Sequence, residues 1–343
     1  MKKKIDVRVH AQSVKNVITL LICFVLLSGC GEQHAPNPET KKHTVGIILF
    51  GDSRMPQVEG FKDGMAKLGY EENKSIKYII RNAKNKRDQL KPIINELLEE
   101  KVDLLVAAGG LEADTVKKIS PNDTPVVVLY INAIIERGLV KSQLEPGWGV
   151  TGIDNLNAEL SSKRVEIMRD LLPSLKKILI LYYEKIAPSR IGVEKATIMA
   201  NKLGIAIDAR AVSSREEIRE IMTKLKPGEV DAMLTVPTAP IDNALKKIIL
   251  PEINRLKLPL FTHSRPLAEK GALASYGAHF YDMGMQASRL AKKILTGTDA
   301  SKIPFETPKK YVYAVNKDVQ TEFGIVIPSM AKSQINEYIT REK

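Results

Sequence analysis

The stretch TVGIILF, residues 44–50, decides the fold, because it is a short apolar run rich in β-branched side chains. The runs VDLLVAAGG (102–110) and KKILILYY (176–183) repeat this pattern, and amphipathic helical stretches separate such runs. Strands that are apolar throughout and alternate with helices are typical of parallel βαβ units whose sheet is covered on both faces. The sequence therefore predicts an α/β protein.

The same order of elements occurs twice along the chain. Predicted strands lie at 44–50, 75–83, 102–110 and 124–131, and again at 176–183, 205–212, 230–237, 258–263 and 272–278. We therefore predict two doubly wound parallel-sheet lobes joined by a hinge, with the carboxyl ends of their strands around a shared crevice. Because the last elements of such chains cross back between lobes, we assign residues 44–152 plus about 279–300 to an N-terminal lobe. Residues 153–278 plus about 301–343 form the C-terminal lobe, and 310–328 has strand character.

Composition supports a globular body and selects no ligand. The chain has 343 residues, of which 44% are hydrophobic and 27% charged, with a single tryptophan. This profile fits about two ordinary domains and argues against disorder or a multi-span membrane protein. With so few aromatic residues, a nucleic-acid surface of stacked rings is not expected. The formal charge of +12 is compatible with an acidic membrane surface or an anionic partner.

The N-terminus has the pattern of an export signal. A basic stretch, residues 1–16, precedes an apolar run at 17–27 that is too short for the roughly 20 residues of a spanning helix. The run ends in Leu27-Ser28-Gly29-Cys30, which resembles the bacterial lipobox. We therefore predict that residues 1–29 are a signal peptide and that the thiol of Cys30 receives the lipid.

Cysteine usage agrees with this prediction. The chain has two cysteines, Cys23 in the predicted signal peptide and the predicted acylation site Cys30, so no thiol remains for a disulfide or for catalysis. Residues 30–43 then contain the acylated cysteine and a polar tether with two prolines, which reaches about 20 Å. We expect the body to lie outside the cytoplasm, on the cell membrane or the periplasmic side of an outer membrane.

Motifs for catalysis are incomplete. Gly51-Asp52-Ser53 follows the first strand and looks like the nucleophile block of GDS-type esterases, but that chemistry also needs a late Asp-x-x-His pair, which is missing. Neither the dinucleotide-binding glycine pattern nor the Walker pattern occurs. Gly109-Gly110 either lets a ligand approach the backbone or forms an ordinary tight turn. We expect neither an enzyme nor a cofactor.

Metal and nucleic-acid sites are not expected either. Of the five histidines only His263 and His279 lie in the body, without the spacing of a helical zinc pair. The charged runs 84–91 and 215–226 intersperse both signs, as solvated helix faces do. A DNA-binding regulator would need a reading head, and the predicted signal and tether occupy the N-terminal space for one.

Motifs spread over about residues 45–328 are similar to those of the ABC-transporter substrate-binding family whose characterised members take aromatic amino acids such as tryptophan. These markers are GFKDGMAKLGY (60–70), VDLLVA (102–107), GLVKS (138–142), VTGI (150–153), LLPSLKKILILYY (171–183), KLGI (202–205), VDAM (230–233), KGALASYG (270–277), YDMGMQA (281–287), ILTG (294–297) and NKDVQTEFGIVIP (316–328). The resemblance implies a type I periplasmic-binding-protein-like fold that closes on a small molecule, an amino acid or related metabolite, and delivers it to an ABC permease. We expect a monomer.

The chain departs from the family pattern in the pocket. The family often places Asp after the fourth strand and in a Pro-Thr-Asp turn of the second lobe, where this chain has Asn132-Ala133 and Pro237-Thr238-Ala239. Two acidic positions for a ligand ammonium are thus missing. A standard zwitterionic amino acid is then disfavoured unless Glu184, Asp52 or Asp242 substitutes, because an unpaired buried charge costs several kcal/mol.

Position at strand carboxyl ends selects the cleft candidates. They are Asp52, Ser53, Gly110, Leu111, Asn132, Tyr183, Glu184, Thr238, His263 and Tyr276.

Two alternatives to a transport function stay open. The first is a ligand-sensing or partner-binding lipoprotein of the same fold that signals to another protein. The second is a hydrolase that uses the loop 51–53.

Overall fold

The first sheet is parallel throughout and has five strands. The structure is a computed structural model that describes residues 42–119 and 124–342, so the predicted signal peptide and Cys30 lie outside the described residues. Strands β1 (His43–Leu49), β2 (Ile76–Asn82), β3 (Leu104–Ala107), β4 (Val126–Ile131) and β5 (Val150–Asp154) form this sheet in the order β2-β1-β3-β4-β5. β1 lies between β2 and β3 and is buried from Val45 to Leu49, as its continuous apolar sequence predicts.

The second sheet has seven strands in the order β12-β11-β10-β9-β8-β6-β7. They are β6 (Lys177–Tyr182), β7 (Ala206–Ala211), β8 (Ala232–Leu234), β9 (Leu260–Thr262), β10 (Ala274–Ala278), β11 (Tyr311–Asn316) and β12 (Glu337–Ile339). All neighbours are parallel except β10 and β11, which pair antiparallel. The predicted fold of two parallel-sheet α/β lobes is confirmed, with one antiparallel pairing that the sequence did not predict.

Helices connect these strands and cover the sheets. They are α1 (Met55–Lys67), α2 (Leu90–Glu99), α3 (Gly110–Ile119), α4 (Ser161–Leu171), α5 (Ala187–Lys202), α6 (Arg215–Lys224), α7 (Ala239–Ala244), α8 (Leu250–Leu256), α9 (Arg265–Glu269), α10 (Phe280–Leu295), α11 (Lys317–Glu322) and α12 (Ser329–Lys332). A π-helical segment, Leu245–Ile249, joins α7 to α8. Each sheet has a separate apolar cluster on each of its faces, which is the arrangement of a doubly wound lobe.

Helix α10 follows a strand of the second sheet and packs in the first lobe. Its Met283, Ala287 and Leu290 share one buried cluster with Val58 and Phe61 of α1. The apolar stripe of α10 thus packs in the first lobe, to which the sequence analysis assigns residues from about 279 to 300.

Two lobe boundaries lie further along the chain than the sequence predicted. Ile153 and Asp154 end β5 in the first sheet, whereas the sequence predicts that the second lobe begins at residue 153. Ile303 and Phe305 are buried in the first lobe's apolar clusters, and the amide of Glu306 donates to the carbonyl of Gly152. Because burial of these apolar side chains holds the segment on the first lobe, the chain crosses after Glu306 rather than near residue 301.

The C-terminal region is also less strand-like than predicted. Only β11 (Tyr311–Asn316) of the predicted 310–328 stretch is a strand, and α11 begins directly after it. The side chain of Asn316 accepts hydrogen bonds from the amides of Asp318 and Val319 and so caps the new helix. A short strand, β12, then adds to the sheet edge.

Glycine makes the close crossing of α1 and α10 possible. A Cβ at Gly284 would overlap the carbonyl oxygen of Gln57 and lie 2.7 Å from the amide nitrogen of Phe61. A Cβ at Gly60 would overlap the carbonyl oxygen of Tyr281. Since both obstacles are backbone atoms, neither can move aside without shifting a helix.

We expect Gly284→Ala to destabilise the protein, although alanine is the better helix former. The added methyl group would overpack the contact and push α10 away from α1. The free energy of unfolding should therefore fall by about 1–3 kcal/mol. Urea unfolding measures this. Lys292→Ala is the control, because Lys292 lies on the exposed face of the same helix and its replacement also introduces alanine there. Equal stability of Gly284→Ala and the wild type would contradict the packing argument.

Candidate functional site

The carboxyl ends of strands from both sheets meet at the crossovers between lobes. Asn157, just after β5, donates from its side-chain amide to the Tyr130 hydroxyl group at the end of β4. Arg164 of α4 donates to the Asn157 carbonyl (2.6 Å), to its side-chain oxygen (2.7 Å) and to the Tyr276 carbonyl in β10 (2.8 Å). One guanidinium group thus joins a crossover to both sheets.

The first-lobe wall of this crevice has Arg54 at its centre. The Arg54 guanidinium carbon lies 5.0 Å from the centroid of the Tyr130 ring, which is a cation–π contact. Its Nε is 3.9 Å from a carboxylate oxygen of the fully buried Glu112, and that oxygen accepts the amide of Phe50. Within the described residues the Arg54 guanidinium donates no hydrogen bond shorter than that ion-pair distance, and its side chain is 25% exposed. Its N–H groups are therefore available to a ligand.

Gly109 and Gly110 leave room for two arginines. A Cβ at Gly109 would lie 2.9 Å from the Arg54 guanidinium carbon, and one at Gly110 would lie 3.1 Å from a guanidinium nitrogen of Arg137. Arg137 in turn pairs with Asp114. Gly110 is also the first residue of α3. The absence of side chains at these two glycines thus lets the arginine side chains lie against the backbone of the turn.

The second-lobe wall contains three polar side chains with buried, unpartnered atoms. Thr238 and His263 are 5% and 4% exposed, and the His263 Nε2 lies 3.5 Å from a carboxylate oxygen of Asp242. The Thr238 hydroxyl, the second Asp242 carboxylate oxygen and the His263 Nδ1 have no hydrogen-bond partner in the described part of the chain. Buried polar atoms in native proteins nearly always have a partner, either in the protein or in ordered water, so these three atoms are open to a ligand or to water.

The two walls face each other across Tyr130. Burial raises the pKa of the Tyr130 hydroxyl group, while the charge of Arg54 lowers it and the charge of Asp242 raises it. Both charges therefore act on the same hydroxyl group. The Tyr130 ring also packs edge-on against Phe280, with centroids 5.1 Å apart. The crevice thus brings together a cation, a carboxylate and an aromatic surface.

The other predicted cleft residues are more scattered. Asp52 and Ser53 are exposed, and the Asp52 carboxylate accepts from Asn82 and Lys84. Glu184 is exposed as well, whereas the Tyr183 ring packs against the second-lobe core near α6. These side chains do not join the buried polar group around Asp242.

Three further candidates lie nearer the crevice or its core. Leu111 packs partly into the first-lobe core, Asn132 is half-buried just after β4, and the half-buried Tyr276 ring lies 5.9 Å from that of Tyr311.

The sequence did not select Arg54, Tyr130, Asn157 or Arg164, and named Asp242 only as a substitute acid. Arg54 and Tyr130 also follow or end strands, so strand-end position could have found them. Arg164 lies within a helix, and nothing in its local sequence distinguishes it from a surface arginine.

The catalytic motif is not assembled. Within the described residues no hydrogen bond joins the exposed Ser53 to either histidine of the body; the His263 Nε2 lies 3.5 Å from Asp242 and the His279 Nδ1 lies 3.4 Å from Asp282. No group of three or more metal-binding side chains comes together within residues 42–119 and 124–342. Across the same ranges, every helix is too short or too polar to span a bilayer.

A two-lobe α/β body with a polar interlobe crevice defines a type I periplasmic-binding-protein fold. A sequence model of the ABC transporter substrate binding protein family matches residues 42–337. The chain belongs to this family, which confirms the resemblance seen in the sequence. The family consists of solute-binding proteins rather than enzymes, and its members work outside the cytoplasm.

Relatives and solved structures agree with this assignment. The tyrosine-binding protein of Clostridioides difficile is 26% identical over 319 residues, covering 89% of this chain and 91% of that protein. A crystal structure of an ABC domain in complex with L-Trp from Streptococcus pneumoniae superposes with a TM-score of 0.78 at 24% identity, covering 87% of this chain and all of the other. A ligand-free, open substrate binding protein with adhesive properties from Clostridium difficile has a TM-score of 0.71 at 22% identity, with 88% and 100% covered.

Acidic side chains accumulate at the crossover after β5. Burial raises the pKa of Asp154 to about 7, even though its carboxylate accepts the Leu156 amide. Burial also raises the pKa of Glu159, and one of its carboxylate oxygens is buried without a partner in the described chain. The Glu159 charge in turn disfavours ionisation of Asp154.

We expect the Asp154 carboxyl group to lower the free energy of unfolding as the pH rises. Its pKa is higher in the folded than in the unfolded chain, so between about pH 4 and 7 the folded chain retains a proton that the unfolded chain loses. The difference in unfolding free energy between wild type and Asp154→Asn should decrease by up to about 4 kcal/mol over that range. Urea unfolding at several pH values measures it.

Asp299→Asn is the control for this experiment. The hydrogen bonds from Ser301 lower the pKa of Asp299, so the corresponding difference should stay nearly constant between pH 4 and 7 and should fall only as the pH drops below about 4. A pH-independent difference for Asp154→Asn would contradict the burial argument.

Proposed function

We propose that the protein is the lipid-anchored, extracytoplasmic solute-binding component of an ABC importer. It captures an amino acid with an aromatic side chain between its lobes, closes on it and delivers it to a permease. The observation that carries this proposal is the pair of polar walls. Arg54 has N–H groups available beside the Tyr130 ring on the first-lobe wall, and on the second-lobe wall Asp242 has a buried oxygen without a partner among the described residues. The tyrosine and tryptophan named for the relatives support the same ligand class.

The two charges suit the two ends of a zwitterion. A guanidinium binds a carboxylate through a planar pair of N–H donors, and the Arg54 donors have no competing acceptor at hydrogen-bond distance among the described residues. A ligand ammonium would bind the unpartnered oxygen of Asp242. Asp242 thereby replaces the acids that the family often has after the fourth strand and in the turn at 237–239. Asp52 and Glu184, the other two substitutes considered, are exposed.

Thr238 and His263 complete the second-lobe half of the proposed site. Their unpartnered hydroxyl group and ring nitrogen lie with Asp242 on one wall. A ligand that binds Arg54 on one lobe and these groups on the other interacts fully only when the crevice is closed. Because closure follows from that difference in contacts, no catalytic group is required.

A thermal-shift screen of the purified full-length chain tests the ligand class. The panel should contain amino acids, aromatic metabolites, small peptides, nucleosides and sugars. A ligand at 100 times its dissociation constant adds about 2.7 kcal/mol to stability, which gives a readable shift. Stabilisation by aromatic amino acids is expected, and stabilisation by sugars or nucleosides alone would contradict the proposal.

Variants of Arg54 and Asp242, each tested with analogues of the amino acid, should distinguish the roles of the two charges. Loss of a charge-assisted hydrogen bond costs about 1.5–3 kcal/mol, so Asp242→Asn and Arg54→Gln should each weaken binding of the amino acid about ten- to a hundredfold. Asp242→Asn should leave the affinity for the deaminated acid nearly unchanged, and Arg54→Gln should do the same for the decarboxylated amine. Isothermal titration of the wild type and both variants with the three ligands measures all nine combinations.

Asp52→Asn and Glu184→Gln are matched controls, because both carboxylates are exposed in the structure. Neither variant should change the affinity for the amino acid. If one of them weakens binding and Asp242→Asn does not, the ammonium lies elsewhere in the crevice.

The lipid anchor is the second part of the proposal. It rests on the sequence Leu27-Ser28-Gly29-Cys30, with residues 1–29 as the signal peptide and 30–43 as anchor and tether. In cells supplied with a labelled palmitate analogue, the wild type should be labelled and recovered with membranes, and Cys30→Ser should be unlabelled. Cys23→Ser keeps the acylated thiol and should be labelled like the wild type. Labelling of Cys30→Ser would overturn this assignment.

A further inference from the structure

A groove on the first lobe lies away from the interlobe crevice. It has a volume of about 470 Å³ and is bounded by the end of α1, by α10 and by the crossover residues 308–310. Leu68, Met283, Met285 and Pro308 form an apolar floor. This volume is in the range of small-molecule sites, which are mostly apolar with a few polar groups that fix orientation.

The rim of the groove is basic. Lys67, Lys309 and Lys310 are exposed there, and no carboxylate of the described residues forms an ion pair with them. Arg289 also lines the groove and is bound to Glu306. The acid on the rim, Asp282, lies 3.4 Å from the His279 ring nitrogen. The excess of positive charge favours an anion.

The crossover that closes one side of the groove is held in place by a buried amide. Gln286 is 9% exposed, and its side chain donates to the Thr307 carbonyl (2.9 Å) and to a carboxylate oxygen of Glu306 (2.7 Å). Its oxygen accepts the amide of Lys309 at 3.2 Å. The groove is thus shaped by fixed backbone, and an occupant would contact two first-lobe helices and the last crossover at once.

We propose that this groove is a second small-molecule site, which takes an amphipathic carboxylic acid. The apolar body lies on the floor between α1 and α10, and the carboxylate lies among Lys67, Lys309 and Lys310. The three lysines outnumber the single Asp282 carboxylate on the same rim, so the head group that this rim favours is an anion. This site is separate from the amino-acid site proposed between the lobes.

Methionine methyl resonances can locate a bound acid directly. Met283 and Met285 line the groove, whereas Met55 follows Arg54 at the crevice. The full-length chain in lipid nanodiscs, with isotope-labelled methionine methyl groups, is titrated with 4-phenylbutyrate or with its uncharged amide. Met283→Leu and Met285→Leu assign the two signals. Saturable shifts of both signals with the acid, and much weaker ones with the amide, are expected.

Charge reversal on the rim tests the head group. Lys309→Glu with Lys310→Glu should raise the dissociation constant of the acid about tenfold, since two favourable exposed contacts become repulsive. Lys91→Glu with Lys118→Glu changes the net charge equally at exposed positions outside the groove and should leave binding unchanged. An otherwise unchanged methyl spectrum verifies that each variant is folded.

Three outcomes would overturn the proposal. They are shifts at Met55 without shifts at Met283 and Met285, equal binding of acid and amide, and absence of saturable shifts at millimolar concentrations of the acid. The first of these would place the acid in the crevice. Failure of the groove is also distinguishable from failure of the amino-acid site, because isothermal titration with the amino acid reports on the crevice alone, whereas the Met285 signal reports on the groove.

Discussion

The guanidinium group of Arg164 holds together the point at which the two lobes meet. It is fully buried, and three backbone or amide oxygens, two from Asn157 and one from Tyr276, accept its hydrogen bonds. Burial lowers the pKa of Arg164 to about 9, because no carboxylate is hydrogen-bonded to it. The charge is therefore stabilised by oriented dipoles rather than by a counter-ion. Since those dipoles belong to a crossover and to β10, the geometry of the crevice depends on this one contact.

The first lobe is completed from a distance along the chain. Helix α10 follows the second sheet, yet its apolar stripe is buried against α1 and the first sheet. Close packing of Gly60 and Gly284 brings the helices together, and Gln286 of α10 then binds the returning crossover. Each lobe is thus discontinuous, and three crossovers connect them. Several connections restrict the relative motion of two domains to a hinge, which is the motion that ligand capture requires.

Most of the fold could be predicted from the sequence, because buried parallel strands are continuous apolar runs. The sequence predicts β1 and β6 for that reason. β12 gives no such signal, because it has three residues and only one buried apolar position. The crossover after Glu306 was also missed. The apolar residues Ile303 and Phe305 are compatible with either lobe, and only the tertiary packing decides which one buries them.

The site was less predictable than the fold, for a related reason. Strand-end position identified Thr238 and His263, which do lie among the buried polar atoms of the second-lobe wall. It also selected Asp52 and Glu184, whose strand ends open toward solvent. Asp242 is one turn into α7, and its side chain reaches His263 only because β8 and β9 are neighbours in the sheet. Side-chain direction across neighbouring strands is a property of the assembled sheet, so a linear pattern cannot supply it.

The two walls of the crevice differ in a way that bears on how closure is driven. On the first lobe, the Arg54 charge already has Glu112 and the Tyr130 ring beside it, and a quarter of its side chain remains in water. On the second lobe, Thr238, Asp242 and His263 keep buried atoms without partners in the described chain. A ligand on the first wall alone therefore gains little that water does not also offer. Under the proposed function, the contacts that distinguish the closed from the open state would come mainly from the second wall, and the free energy of closure would depend on how well a ligand satisfies those three atoms. Selectivity would then follow from the same wall, because a molecule that leaves the Asp242 carboxylate unpaired would have to close over a buried charge.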